Sequence, residues 1–138
     1  RIAEYCKRTG QPVPETKGEF VRCVFDSLAL RYRKTLLDIE SITKIKTPFI
    51  NVIGGGSKET FLCQLTADCC GIPVYAGPDE ATAIGNIACQ AIAAGEIANV
   101  AQAREIISES FGVRCFTPDL TSKNIWDDGY EKFLKLID

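Results

Sequence analysis

Histidine and methionine are both absent from this sequence of 138 residues. Without histidine, and without any Cys-x-x-Cys pair, we expect no zinc site and assign no metal ligand. The formal net charge is only −2, which gives no electrostatic reason to expect nucleic acid or an anionic membrane as a partner. Polar residues and glycines interrupt every long apolar stretch, so we expect no segment that spans a bilayer.

The first residues, starting at Arg1, form an amphipathic segment and lack the apolar core of a signal peptide. Since the chain also has no initiator methionine, we expect it to be a piece of a longer protein. With 46% hydrophobic residues it is expected to fold, as a single unit over residues 1–138.

Cysteine is abundant, with seven residues that mostly lie inside apolar segments. An odd number of such cysteines is typical of reduced, buried thiols, and we therefore expect a cytoplasmic location. Cys6 and Cys23 flank a proline-containing turn and would become neighbours if that turn reverses the chain. A disulfide between them after purification in air and a pair of reduced thiols are both open interpretations.

Helical periodicity dominates the first third of the chain. The spacing of Thr16 and Glu19 is that of a capping box, and it predicts a long helix over 17–42, preceded by a short helix over 1–8. The sequence further predicts strands at 49–53 and 74–76, an extended segment at 114–117, and helices at 58–70 (capped by Ser57), 80–94, 100–110 and from Asn124 onwards. This order predicts an α/β fold with few parallel strands flanked by helices. So small a sheet would normally have neighbouring strands, which we expect in the rest of the protein.

Three glycines, Gly54, Gly55 and Gly56, separate the first predicted strand from its helix. They remove every Cβ where a ligand could approach the backbone, and amides near a helix start suit a phosphate group. A tight turn without a ligand is the competing interpretation. The motif is not a Walker A loop, and Glu59 stands where a dinucleotide-binding fingerprint needs its third glycine.

Acidic and aromatic residues elsewhere have structural explanations that we prefer to functional ones. A carboxylate near a helix start is favoured by the helix dipole, and an apolar stripe is most simply a packing surface. We therefore assign no catalytic residue to this chain; the residues considered were Asp68, Glu80, Trp126, Asp127 and Asp128.

The segments 9–15, 22–33, 52–56, 62–68 and 76–86 resemble, in order and spacing, the FGGY family of carbohydrate kinases. Two phrases, Arg-Cys-x-Phe-Asp-Ser-Leu-Ala at 22–29 and Ala-Gly-Pro-x-Glu-Ala at 76–81, resemble its rhamnulokinase subfamily in particular. The resemblance covers nearly the whole chain and is least specific after about residue 112.

The resemblance implies the later half of the second of two RNase H-like domains, of the actin/hsp70/hexokinase ATPase type. It implies ATP and Mg²⁺ as cofactors, a ketose as second substrate, and transfer of the γ-phosphate to L-rhamnulose to give L-rhamnulose 1-phosphate. Gly54, Gly55 and Gly56 would contact the ATP, with Gly55 the best match. Family members often have asparagine at the position of Glu59, whose carboxylate cannot donate a hydrogen bond, so Glu59 receives no nucleotide-binding role.

The resemblance also implies that the catalytic aspartate, the phosphate-binding loop and the sugar site lie upstream of Arg1. The chain alone is therefore expected to be inactive, and to self-associate through the surface that its separation exposes. A sister kinase for fuculose or xylulose and a non-catalytic nucleotide-binding or interaction module remain alternatives. A Rossmann-type oxidoreductase is disfavoured by the missing glycine.

Overall fold

The computed structural model describes residues 1–137, which form a helix-rich α/β structure. In chain order the elements are α1 (Ile2–Arg8), α2 (Lys17–Thr43), β1 (Ile50–Val52), a 3-10 turn (Gly54–Lys58), α3 (Thr60–Cys70), β2 (Val74–Ala76), α4 (Ala81–Ala93), α5 (Val100–Ser110), β3 (Arg114–Phe116), a second 3-10 turn (Leu120–Ser122) and α6 (Lys123–Ile137).

The three strands form one sheet in the order β1-β2-β3. β1 and β2 are parallel, with Ile50 opposite Val74, as the strand–helix–strand pattern predicted. β3 is antiparallel to β2, with Arg114 opposite Ala76, so the expectation of parallel strands throughout is wrong. The reason is that two helices, α4 and α5, connect β2 to β3. The first leads the chain away from the carboxyl end of β2 and the second returns it there.

The capping box at the start of α2 is confirmed. The Thr16 hydroxyl accepts a hydrogen bond from the Glu19 amide at 3.3 Å, and the Glu19 carboxylate accepts one from the Thr16 amide at 3.2 Å. At the other end Lys44 adopts a left-handed conformation with φ of 61°, which stops the helix one residue beyond its predicted end. Both ends of α2 therefore follow from local signals.

Two predicted helix starts are wrong. Ser57 does not cap α3, because the glycines and Ser57 themselves form the 3-10 turn Gly54–Lys58 and α3 begins only at Thr60. Asn124 lies inside α6, which begins at Lys123 directly after a 3-10 turn. That turn is capped by Asp119, whose carboxylate accepts from the Thr121 amide at 2.9 Å. In both places a short 3-10 turn precedes the helix and satisfies polar groups that a simple cap would otherwise satisfy.

Helix α3 contributes to two hydrophobic clusters within residues 1–137. On one side Leu65 and Cys69 pack with Ala29 of α2 and with Trp126 of α6. On the other side Cys63 and Ala67 pack beneath the sheet, against Val74 and Ala76. Trp126 is only 8% exposed, which confirms its interpretation as a packing residue. The rest of its stripe is less covered, since Tyr130 and Phe133 are half-buried and Ile137 is exposed.

Helix α4 is the exception to this packing. It is rich in alanine and isoleucine but contains no buried residue, and Ile87 is 67% exposed. A Cβ built on Gly85 would meet no atom within 4 Å, so no other element within residues 1–137 packs closely against this glycine. Within the same residues no helix is long and apolar enough to cross a membrane.

Candidate functional site

The glycine turn Gly54–Lys58 directly follows β1 at its carboxyl end. Gly54 has φ of 71°, a left-handed conformation that favours glycine, and its amide donates to the Pro78 carbonyl at 3.2 Å. A Cβ on Gly56 would make an ordinary contact of 3.7 Å with Val52. At Gly55 a Cβ would meet no atom within 4 Å, and its backbone does not require glycine. The main chain at Gly55 therefore borders open space on the side where a side chain would project.

Ser57 is fully buried at the end of the glycine turn. Its Oγ lies 2.6 Å from Asp79 Oδ1 and 2.7 Å from the Gly54 carbonyl oxygen, so its single proton faces two acceptors. Asp79 belongs to the segment that follows β2, and its second carboxylate oxygen is 3.5 Å from the Lys58 ammonium. The hydroxyl that was predicted to cap α3 therefore links the ends of two neighbouring parallel strands instead.

The pKa of Asp79 is held below its ordinary value. The Ser57 hydroxyl is the largest cause, because it hydrogen-bonds the ionised carboxylate. The positive charges of Lys58 and Arg114 act in the same direction, while partial burial opposes them. Asp79 is therefore ionised at neutral pH and accepts hydrogen bonds there.

Arg114, the first residue of β3, completes this cluster. Its Nη2 donates to the Ser57 carbonyl oxygen at 2.6 Å, across 57 positions of sequence. Beside it a cavity of ≈ 540 Å³ opens, lined by residues 77–80, Ile84, Phe111, Gly112 and Arg114. Sequence reasoning did not select Asp79 or Arg114, because no local pattern indicates a contact between such distant positions.

Within residues 1–137, the side chains of the other acidic residues considered in the sequence make no hydrogen bond to the glycine turn. The Asp68 carboxylate accepts from Gln64 Nε2 at 2.7 Å and from the Asp119 amide at 2.8 Å, so it holds a loop in place, a structural role other than the solvent-facing or capping one expected. Asp127 pairs with Arg33 of α2 and with Lys123 of its own helix α6. Glu80 stands at the start of α4, and its side chain makes no capping hydrogen bond.

Glu59 occupies the cap position of α3 without a side-chain hydrogen bond to that helix. Among residues 1–137 there is no group of three His, Cys, Asp or Glu side chains arranged to hold a metal ion. In the cluster around Ser57 several hydrogen bonds hold the glycine backbone, and the two positive side chains of Lys58 and Arg114 outnumber the one carboxylate of Asp79. Such an arrangement suits an anionic ligand better than a metal ion.

Comparison with known proteins decides the family. Residues 2–94 match the FGGY family of carbohydrate kinases, C-terminal domain. The chain belongs to this family. The matched segment includes the glycine turn and Asp79, whereas Arg114 lies beyond it.

Three of the relatives that the chain matches are named rhamnulokinase and are several times longer than this chain. A rhamnulokinase of Bacteroides thetaiotaomicron is 48% identical over 137 residues, which is 99% of this chain and 28% of the relative. A rhamnulokinase of Bacillus subtilis is 40% identical over the same share of both chains. A third, of Halalkalibacterium halodurans, is 49% identical over 82% of this chain and 24% of its own length. The chain thus spans about a quarter of the length of these relatives.

Proposed function

We propose that this chain is the ATP-binding part of a rhamnulokinase, which transfers the γ-phosphate of ATP to L-rhamnulose and forms L-rhamnulose 1-phosphate. Membership of the family and the names of the relatives support the kinase activity and the sugar. A cytoplasmic location belongs to the proposal and is supported by the cysteine usage. We propose that residues 1–138 belong to a longer protein, and we call that protein the full-length kinase.

One observation carries the nucleotide-binding role, namely the open backbone at Gly55. The glycine turn stands at the carboxyl end of a strand in a parallel pair, where open α/β sheets bind their ligands. A Cβ at Gly55 would project into open space, so the backbone there is accessible to a phosphate or ribose. Lys58, whose side chain is 62% exposed, supplies a positive charge at the same turn.

The chemistry expected of residues 1–138 is binding and orientation. Phosphoryl transfer depends mainly on positioning and on neutralising charge, and Mg²⁺ would arrive as the complex with ATP. The resemblance to the family assigns the base that deprotonates the sugar hydroxyl to an upstream segment, so the chain by itself is proposed to be inactive. It likewise supports the later half of an RNase H-like domain as the fold of the complete region.

Substitution of Gly55 tests the nucleotide-binding role. We expect Gly55→Val in the full-length kinase to raise the KM for ATP at least about tenfold, because the new side chain would occupy the space of the nucleotide. The smaller Gly55→Ala should have an intermediate effect. The KM for L-rhamnulose should change little, since the resemblance to the family assigns the sugar site to another part of the protein. Steady-state kinetics with each substrate varied in turn gives the two values.

The chain offers a matched control in Gly18, which lies in the exposed first turn of α2. A Cβ there would come no closer than 4.0 Å to another atom, so Gly18→Ala adds a methyl group without a clash. If Gly55→Val leaves the kinetics of ATP unchanged, the turn is structural and the proposed role is wrong.

The sugar needs a separate test, because the residues that contact it are assigned to the rest of the protein. The full-length kinase should phosphorylate L-rhamnulose with a higher kcat/KM than fuculose or xylulose. A preference for either of those sugars would identify a sister kinase. Binding of ATP without turnover of any ketose would favour a nucleotide-binding module.

A further inference from the structure

Ser57 fastens the glycine turn to two other strand ends. Its hydroxyl lies 2.6 Å from the Asp79 carboxylate in the segment after β2, and its carbonyl oxygen accepts from Arg114 of β3 at 2.6 Å. The three glycines have no side chains with which to pack. These two bonds of Ser57 hold the turn together with the main-chain bond from Gly54 to Pro78, the Lys58–Asp79 ion pair at 3.5 Å and a 3.9 Å contact from Cys63 Sγ to the Gly56 carbonyl oxygen.

We propose that Asp79 and Arg114 are positioning residues, which hold the glycine turn in the conformation that receives ATP. This inference rests on the proposed function. Glycine has more backbone freedom than any other residue, so a glycine turn that is not fastened must lose that freedom when ATP binds. Bonds that order the turn beforehand remove this cost from binding and lower the KM for ATP.

The two bonds to Ser57 reach it from different parts of the chain. Asp79 lies within residues 2–94, which match the family model, whereas Arg114 lies beyond that match but within the 137 residues aligned with a rhamnulokinase. β3 reaches the turn because it is antiparallel to β2, which places Arg114 opposite Ala76 at the carboxyl end of β2. The antiparallel direction of β3 therefore places a charged donor at the end of the sheet where the glycine turn follows β1.

Burial separates a positioning role from direct contact with the nucleotide. Ser57 is 0% exposed, so its hydroxyl cannot touch a ligand and can influence ATP only through the turn. Arg114 is exposed and its guanidinium is free to reach a bound phosphate as well. The change in the KM for ATP that Ser57→Ala causes is therefore the decisive measurement.

The experiment compares variants of the full-length kinase. We expect Arg114→Met to raise the KM for ATP about tenfold, the loss typical of one charge-assisted hydrogen bond, with the KM for the sugar unchanged. Ser57→Ala should raise the KM for ATP in the same way by several-fold, and Arg114→Lys should restore most of the loss because it keeps a charged donor. Arg104→Met, on the exposed surface of α5, is the matched control and should behave as wild type.

Each contrary result has a distinct meaning. If Gly55→Val raises the KM for ATP but Arg114→Met and Ser57→Ala match Arg104→Met, the inference is overturned and the proposed function stands. If Arg114→Met raises the KM for ATP and Ser57→Ala does not, the bond between the Ser57 hydroxyl and Asp79 does not order the turn, and the joint positioning role of Asp79 and Arg114 is overturned. If Gly55→Val is also without effect, the proposed function fails together with the inference. Partial unfolding lowers kcat but does not raise one KM selectively. The ratio of the KM for ATP to the KM for L-rhamnulose is therefore the quantity scored.

Discussion

Cys6 and Cys23 are free thiols that lie side by side across the proline-containing turn. Cys6 is 4% exposed, and Cys6 and Cys23 line the same cavity. Burial raises the pKa of the Cys23 thiol above its ordinary value, and the neighbouring Cys6 raises it further. The turn therefore brings the two sulfurs together, as the sequence suggested, while the bridge itself stays a prediction.

We predict that the purified full-length kinase forms a Cys6–Cys23 disulfide in air and keeps both thiols in reducing buffer. The thiols give two hydrogens to oxygen, forming hydrogen peroxide and the bridge. Closing a loop of about 17 residues would stabilise the fold by roughly 3 kcal/mol. Because the thiolate is the reactive form and its pKa is raised, the bridge should form faster as the pH rises above neutral.

Mass spectrometry of a non-reduced digest would detect the Cys6–Cys23 linked peptide. The variant Cys23→Ser should lack that peptide, and the exposed Cys89 should be alkylated whether or not a reductant is present. Alkylation of both Cys6 and Cys23 after prolonged exposure to air would contradict the prediction.

At the scale of elements, an ion pair ties α2 to α6 beside the buried Trp126. Arg33 Nη2 donates to Asp127 Oδ1 at 2.6 Å, and the same guanidinium lies 4.7 Å from the centre of the Tyr130 ring. Lys123, one turn earlier on α6, also binds this carboxylate. Lys123 first and then Arg33 hold the pKa of Asp127 below its ordinary value.

The stability contributed by this ion pair should depend on pH with a definite sign. Since the folded-state pKa of Asp127 is lowered, its contribution is complete above the unfolded value of about 3.9 and is lost as the pH falls through the folded value. Asp127→Asn should therefore lower the melting temperature of the full-length kinase at pH 6 to 8. The difference from wild type should shrink towards zero below about pH 3.9.

Asp128→Asn is the matched control, because it removes the same charge from the next position on α6. Asp128 is exposed and has no ion-pair partner within residues 1–137. Equal melting temperatures for Asp127→Asn and Asp128→Asn at neutral pH would show that the Arg33–Asp127 pair contributes nothing.

At the scale of the whole molecule, residues 1–137 leave apolar surface uncovered. None of the residues of α4 is buried, and within the described residues no strand pairs with the outer edge of β1. Exposed apolar patches and free strand edges are sites of association. We propose that the rest of the full-length kinase covers them, which agrees with the expectation that further strands of the sheet lie elsewhere in the protein.

We predict that the isolated chain of 138 residues self-associates. Light scattering should give a mean mass that rises with concentration, and Ile87→Glu should lower that mass by placing a charge on the exposed apolar face of α4. Gln90→Glu adds the same charge at an exposed polar position of α4 and should have a smaller effect. A monodisperse monomer at high concentration would contradict the prediction.

Local signals account for what could be predicted from the sequence. The capping box of Thr16 and Glu19 and the apolar spacing of α2 act within one or two helical turns, so the start of α2 was predicted and its end was missed by one residue. The glycine run after an apolar segment located the candidate site, and motif order indicated the family that residues 2–94 then matched. The direction of β3 could not be predicted in this way, because it depends on how α4 and α5 pack against each other.

The sequence by itself determined the presence and order of the helices, the parallel pair β1 and β2, the glycine turn and the family, because short-range patterns and ordered motifs encode each of them. Only the tertiary structure decided what Ser57 does. Its partner Asp79 is 22 positions away and Arg114 is 57 positions away, and neither distance leaves a local pattern. A serine before a helix favours a cap on local grounds, in which its oxygen accepts from a main-chain amide. In the folded protein α3 begins only at Thr60, and the buried Ser57 hydroxyl instead lies 2.6 Å from an ionised carboxylate that folding alone brings to it.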